Sequence, residues 1–420
     1  DEDRVMRRFL TYSLLFLLLP ATLWGQSLRK AVPEYDFARF EKNKIEFHGD
    51  SSAFERLFLK MDSVLFMGCG NLRIMHIGGS HVQAGTLTRR LRNDFLSLRP
   101  ALDGGRGLVF PFSAAHTNNP SSFTTSYEGS WKVTKNVQRD PDHRLGLTGI
   151  ALSASDDKAS VMITTVARDP EPQDPTFRFN DVRVLGYSSE GERVPVVVLA
   201  KGDTLSGCHV EDSTWSFALP ALADSVRVAT KGKGEFTLTG IFLDNPFPGF
   251  TVTGIGVNGA SLGSYAKCPD LLNDLSLVNP DLVIFAVGIN DATAANFSVD
   301  EFVGRYKALV SLVRSVNPDC ALLFVSNNDS FRRIRRKGYV VNANGQLAEQ
   351  AFLRLGKECG AGVWNLFDIM GGLGSMRKWE EAGLAKRDKI HFTEAGYELV
   401  GDLLFNALMD KYMEHLKKAK

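Results

Sequence analysis

Two apolar runs, each closed by glycine and then a polar side chain, limit what this sequence can fold into more than any other feature. Leu72-Arg73-Ile74-Met75-His76-Ile77 leads into Gly78-Gly79-Ser80, and Leu282-Val283-Ile284-Phe285-Ala286-Val287 leads into Gly288-Ile289-Asn290. Runs of this kind fit strands of a parallel sheet, which is covered on both faces. After Ser80, Leu87, Leu91, Phe95 and Leu98 recur at helical spacing, with Arg89, Arg90 and Arg92 between them. Ser80 therefore stands where a buried strand hands over to a helix, at the carboxyl edge where open α/β sheets place their sites. Gly78 and Gly79 allow a tight turn and a close approach of ligand to backbone.

The rest of the chain splits by texture. With 420 residues and 44% hydrophobic content, it has enough material for two domains at roughly 100–200 residues each. From 119 to 248 helical periodicity fades. Short β-rich runs at 159–166, 181–187, 194–199, 215–219, 225–229 and 236–242 predict an antiparallel β-sandwich. From 249 onward strand and helix alternate again. A strand at 282–287 precedes a helix marked by Phe302, Tyr306, Leu309, Val310 and Val313. A strand at 321–325, a helix near 348–359 and a strand at 363–367 follow. A final helix runs over 393–417 with Thr393 as N-cap. This alternation predicts a mostly parallel sheet with helices on both faces, a three-layer α/β sandwich. The expected organisation is 26–118 and 249–420 as two parts of one α/β domain, with 119–248 inserted between them.

At the N-terminus, Met6-Arg7-Arg8 precedes the short apolar core Leu14 to Leu19, then Pro20 and the small Gly25. That pattern predicts a signal peptide over 1–25 and export to the periplasm or medium, with no transmembrane anchor after cleavage. An uncleaved N-terminal helix is the alternative. The formal net charge of +1 gives no sign of a nucleic-acid partner. Cys69, Cys208, Cys268, Cys320 and Cys359 form no Cys-x-x-Cys pair, and no histidine set has metal-ligand spacing, so neither metal nor cofactor is expected. Arg332, Arg333, Arg335, Arg336 and Lys337 make the one dense basic run outside the termini. A solvated face is its default reading, and a salt-sensitive contact for an anionic polymer is the other.

The candidate chemistry is acyl transfer. Ser80 is a candidate nucleophile, His391 a base, Asp388 its orienting carboxylate, and Asn290 a side-chain donor to an oxyanion. The Ser80 and Gly259 N–H groups complete the candidate oxyanion hole, with Gly259 read as lying where a Cβ would be too crowded and Gly256 as its neighbouring alternative. Taken singly these signals are weak. Gly-Gly-Ser-His occurs in ordinary strand-to-helix turns, Asn258-Gly259 is a turn dipeptide, and Asp-x-x-His is common in loops. No Gly-x-Gly-x-x-Gly follows the first strand, which removes the dinucleotide reading. Asp291 reads as a loop hydrogen-bonder, His76 as a core histidine, His81 as a helix start, and His116 as either cleft or surface.

Gly78-Gly79-Ser80-His81, Asn258-Gly259-Ala260, Gly288-Ile289-Asn290-Asp291 and Asp388-Lys389-Ile390-His391 resemble, in order, the four blocks of the SGNH (GDSL-type) hydrolases. Gly105-Arg106-Gly107 to Pro111, and Ala115-His116-Thr117-Asn118, are similar to bacterial two-domain members that deacetylate cell-wall glycans. One position departs: the first block usually reads Gly-Asp-Ser, and Gly79 stands at the Asp position. The resemblance implies a flavodoxin-like fold and a serine esterase that takes O-acetyl groups from a glycan, peptidoglycan first, with the insert a carbohydrate-binding-like sandwich. Rival readings keep the machinery but change the substrate to another acetylated polysaccharide or a lipid ester, or make the chain an O-acetyltransferase. A further rival is a non-catalytic glycan-binding protein.

Overall fold

The computed structural model describes residues 28–418, apart from 101, 103, 173, 200, 201, 212 and 337. The expected signal segment, 1–25, lies outside the described residues. A six-stranded sheet runs in the order Ile45–Phe47, Gly362–Trp364, Ala321–Val325, Leu282–Ala286, Asn71–Gly78 and Gly249–Gly256. All neighbours are parallel except the edge strand Ile45–Phe47. Alternate residues enter opposite cores, as the two-residue period of a strand requires. Leu72, Ile74, Leu282, Ile284 and Leu323 face the helices Ser52–Asp62, Thr86–Ser97 and Glu394–Lys418. Met75, Ile77, Val283, Phe285 and Phe324 face Val299–Val316 and Asn344–Cys359. The mostly parallel three-layer architecture is therefore as the alternation predicts.

Two antiparallel sheets make up the insert. One orders Thr204–Ser206, Val194–Val198, Ser225–Lys231, Ser160–Thr164 and Thr124–Glu128. The other is built on the long pair Phe179–Gly191 and Gly234–Asp244, which is flanked by Thr214–Ala223 and Ile150–Ala154. Gly107–Val109 adds to this second sheet by pairing with Ile241 to Leu243. The sandwich does not hang from a linker. Met75, Ile77, Ile255 and Val257 of the parallel sheet and its turn share one core with Leu108, Leu185, Ile241 and Phe242.

Two local readings are corrected. The strand expected over 363–367 ends at Trp364, because Asn365 accepts the Asp368 N–H through its side chain and starts the helix Leu366–Ile369. The loop expected after Val325 contains a hairpin, Phe331–Ile334 against Gly338–Val341, and its turn carries much of the basic run. Among the described residues, no helix is long and apolar enough to cross a membrane.

Register decides where the site forms. Gly78 pairs with Gly256 on one side and Ala286 on the other, so three strands stop at the same level. The turns after them, carrying Ser80, Gly259 and Asn290, therefore meet at one sheet edge.

Candidate active site

Ser80 opens the short helix Ser80–Gln83 directly after the strand. Close packing explains the glycines around it. A Cβ on Gly78 would stand 2.4 Å from Val82 Cγ2 and 3.0 Å from the Ala286 carbonyl. One on Gly256 would stand 2.5 Å from both Gln83 N and Gly79 O, so the helix start and the neighbouring strand touch backbone to backbone. A Cβ on Gly79 would meet Ala260 O and Asn290 Nδ2, each at 3.4 Å. The position where the resemblance expects Asp thus abuts the candidate oxyanion donor.

Asp388 and His391 occupy the loop before the last helix. Lys389 takes φ +57°, which turns the chain back on itself. Asp388 Oδ1 then accepts the N–H groups of Ile390 at 2.9 Å and His391 at 3.0 Å. Oδ2 remains for His391 Nδ1 at 2.8 Å. Burial pushes the Asp388 carboxyl up, but the bonds from His391 and Ile390 outweigh it and hold the group below its ordinary value. Two contacts brace the loop: Asn328 Nδ2 donates to Ile390 O at 2.9 Å, and Phe331 N donates to Lys389 O at 3.0 Å. With Nδ1 held by Asp388, His391 turns Nε2 to Ser80 Oγ at 2.8 Å. A neutral imidazole fixed this way carries its proton on Nδ1 and accepts the serine O–H through Nε2.

The ring of His81 lies behind His391, with centroids 5.2 Å apart, and its Nδ1 pairs with Tyr397 OH at 2.8 Å. Burial, with a smaller contribution from His391, drives the His81 pKa down to about 3. It is thus a neutral wall against which a transient His391 imidazolium meets no second positive charge. His76 is a core histidine, paired with Thr88 Oγ1 at 2.9 Å and pushed to about 3 by burial.

On the other side of Ser80, Asn290 Nδ2 donates to Ala260 O at 2.8 Å, which fixes the amide plane and leaves its second N–H. Gly259 adopts φ +82°, and a Cβ there would meet nothing nearer than Val137 Cγ1 at 3.9 Å. Crowding is therefore not the reason for glycine at 259; the left-handed backbone is. Asp291 accepts the Leu262 N–H through Oδ1 at 3.3 Å and Oδ2 at 3.2 Å, and burial lifts it to about 6. His116 is exposed at φ +50° with its ring 5.7 Å from that of Tyr127.

Gln83 escaped the sequence reading. It is buried, accepts Asn258 N through Oε1 at 2.6 Å, and donates through Nε2 to Thr117 Oγ1 at 2.9 Å and Asn118 O at 3.1 Å. It ties the Ser80 turn to the Gly259 turn and to the Ala115–Asn118 segment. Its only signal in the sequence is a polar residue three positions past the serine, in a short helix whose other buried side chain is Val82.

The profile of the GDSL-like lipase/acylhydrolase family matches residues 241–399. Over this stretch the chain is similar to that family. The match spans Gly259, Asn290, Asp388 and His391 and stops short of Ser80, which joins them through the shared sheet edge. The protein is accordingly a carboxylic ester hydrolase. A solved structure described as a peptidoglycan O-acetylesterase in action is similar to it at 23% identity, over 88% of this chain and 99% of that chain, with a TM-score of 0.71. That likeness takes in the parallel sheet and the antiparallel insert together and is one of fold. An acetyl xylan esterase (18% identity, 38% of this chain and 81% of that chain) has a TM-score of 0.31. A family two carbohydrate esterase from Cellvibrio japonicus (12%, covering 70% and 99%) has a TM-score of 0.27. Neither adds to the argument. No curated protein sequence matches the chain.

Proposed function

We propose that this esterase removes O-acetyl groups from a glycan, with peptidoglycan as the substrate, by a Ser80-His391-Asp388 mechanism. The observation that carries the proposal is the unbroken chain from Ser80 Oγ through His391 to Asp388, with both links at 2.8 Å. Ser80 Oγ attacks the acetyl carbonyl carbon while its proton passes to His391 Nε2. The oxyanion is met by the N–H groups of Ser80 and Gly259 and the Asn290 amide. Collapse breaks the ester bond, and the departing sugar oxygen takes the proton from Nε2. Water then repeats the sequence on acetyl-Ser80: its proton goes to Nε2, acetate leaves, and Ser80 recovers the proton. Asp388 stays ionised and stabilises the imidazolium.

Two features favour a polymer. The His391 and Asp388 side chains keep 32% and 42% of their surface exposed, so the serine is approached from an open face rather than a closed pocket. The insert at 119–248 sits beside that edge as a surface on which a strand of sugar can rest. Export to the periplasm or medium belongs to the same proposal, since the acetylated wall lies there. Acetate release from intact O-acetylated sacculi, compared with acetylated xylan, tests it. Release from sacculi that disappears in Ser80→Ala is the expected result. Release from xylan alone would move the substrate, and none from either would remove the glycan.

A further inference from the structure

The hairpin Phe331–Ile334/Gly338–Val341 is bonded to the loop that carries the Asp388-His391 pair. Phe331 N donates to Lys389 O at 3.0 Å, and Lys389 Nζ lies 5.3 Å from the centre of the Tyr339 ring. The hairpin and its turn carry Arg332, Arg333, Arg335 and Arg336, and the same loop adds exposed Lys386 and Arg387. Among the described residues none of these six pairs with a carboxylate. Several arginines elsewhere in the fold are matched, Arg89 with Asp174, Arg90 with Asp402, and Arg354 with Glu358, whereas the hairpin brings four unmatched ones together. Of the acids around the hairpin, Glu380 is held by Lys389 and Asp388 by His391, while Asp329, two positions before Phe331, is buried and accepts the Met376 N–H. Arg332 is half-buried, and its Nε has no hydrogen-bond partner. Four like charges within five positions repel one another unless anions come between them.

We infer that this hairpin is a cationic clamp for carboxylates on the peptide branches of the polymeric substrate, a reading that rests on the glycan-esterase proposal. Reach selects the branch over the acylated sugar itself. At about 3.3 Å per strand residue, Ile334 stands roughly 10 Å beyond the anchor at Phe331, which sets the charges of the turn apart from the Asp388-His391 loop. A three-residue peptide spans about that distance. The clamp therefore acts on polymer and leaves a small neutral ester untouched.

The test combines Arg332→Gln, Arg333→Gln, Arg335→Gln and Arg336→Gln in the full chain. Binding is read by co-sedimentation with sacculi in a Ser80→Ala background, and turnover of 4-nitrophenyl acetate is read with Ser80 intact. Expected are a loss of sacculus affinity of about ten- to a hundredfold at low salt, a collapse of its salt dependence, and unchanged turnover of the small ester. Sacculi stripped of their peptides by an amidase should bind both proteins alike. Equal binding of untreated sacculi by both proteins would overturn the clamp, as would a loss that persists on stripped sacculi, which would put the anion on the glycan. Because sedimentation needs no catalysis, the clamp is decided even if no glycan yields acetate. Should the fourfold variant fail to fold, Arg335→Gln with Arg336→Gln at the exposed turn makes the same comparison, with about a tenfold loss expected.

Discussion

Gln83 Oε1 accepts the N–H of Asn258 at 2.6 Å, joining the helix that begins at Ser80 to the turn that carries Gly259. The proposed nucleophile and one candidate oxyanion donor follow different strands, and this bond fixes their spacing. An oxyanion donor is useful only within about 2.7–3.1 Å of the developing charge.

Gln83→Leu fills the same volume but frees the Gly259 turn and the Thr117–Asn118 segment. We expect kcat on a small acetyl ester to fall about 10- to 100-fold, with KM changed far less, the scale for a positioning error near the reacting atoms. Gln83→Glu keeps the acceptor for Asn258 and loses the donors to Thr117 and Asn118, so it should lie between wild type and Gln83→Leu. A kcat unchanged in folded Gln83→Leu would show that the turn is held by other means.

The triad variants should separate by role. Ser80→Ala removes both turnover and labelling by a serine-directed phosphonate. Asn290→Ala keeps the nucleophile and so retains labelling, but loses about 10²–10³ in kcat. Asp388→Asn favours the wrong imidazole tautomer, for a loss on the order of 10⁴. Circular dichroism must first show each variant folded. A folded Ser80→Ala protein with near wild-type activity would sink the mechanism.

Gly256 and Gly259 are three positions apart and call for different outcomes. Alanine at 259 costs about 1–2 kcal/mol for the left-handed backbone and meets no steric block. Alanine at 256 drives a methyl into Gln83 N and Gly79 O, both backbone atoms that cannot rotate away. Gly259→Ala should stay soluble with a modest drop in melting temperature. Gly256→Ala should melt much lower or fail to accumulate. The reverse order in a thermal melt would mean that the sheet edge relaxes more easily than its packing allows.

Most of the parallel sheet was legible because its strands are buried on both faces, so their apolar runs stand out in the sequence. The candidate triad was legible for a related reason: its members follow those runs or, in Asp388-x-x-His391, come just before a long helix. What was hidden depends on contacts across the fold. Arg92 lies on the helix after Ser80, yet it is buried and donates to Val252 O from both Nε at 3.1 Å and Nη2 at 2.6 Å. Nothing in a helical period announces that acceptor. The β-rich runs marked some of the antiparallel strands but not Thr124–Glu128, Lys132–Lys135 or Ile150–Ala154, nor the core that Ile255 and Met75 share with Phe242. Excising 119–248 would uncover that face, and the product should be insoluble rather than a smaller esterase.

Asp274 lies at the same junction and makes its stability depend on pH. Its Oδ2 accepts the Leu147 N–H at 2.7 Å, while Oδ1 is buried without a hydrogen-bond partner. Gly146 must be glycine beside it, since a Cβ there would stand 2.0 Å from Oδ2. Burial raises this carboxyl from 3.8 to about 7. The group is protonated in the folded protein at pH values where the unfolded chain has already ionised. Its stabilising contribution is therefore complete below the unfolded value and is lost as pH rises through about 7. Asp274→Asn keeps an acceptor for Leu147 and never ionises. The two proteins should be similarly stable near pH ~4, and the variant should gain on wild type as pH rises to about 8, by on the order of 4 kcal/mol. Urea melts of both proteins across that range cancel every other titrating group. A gap that stays constant with pH would mean that Asp274 ionises normally in the folded state and that the junction is wetter than its burial implies.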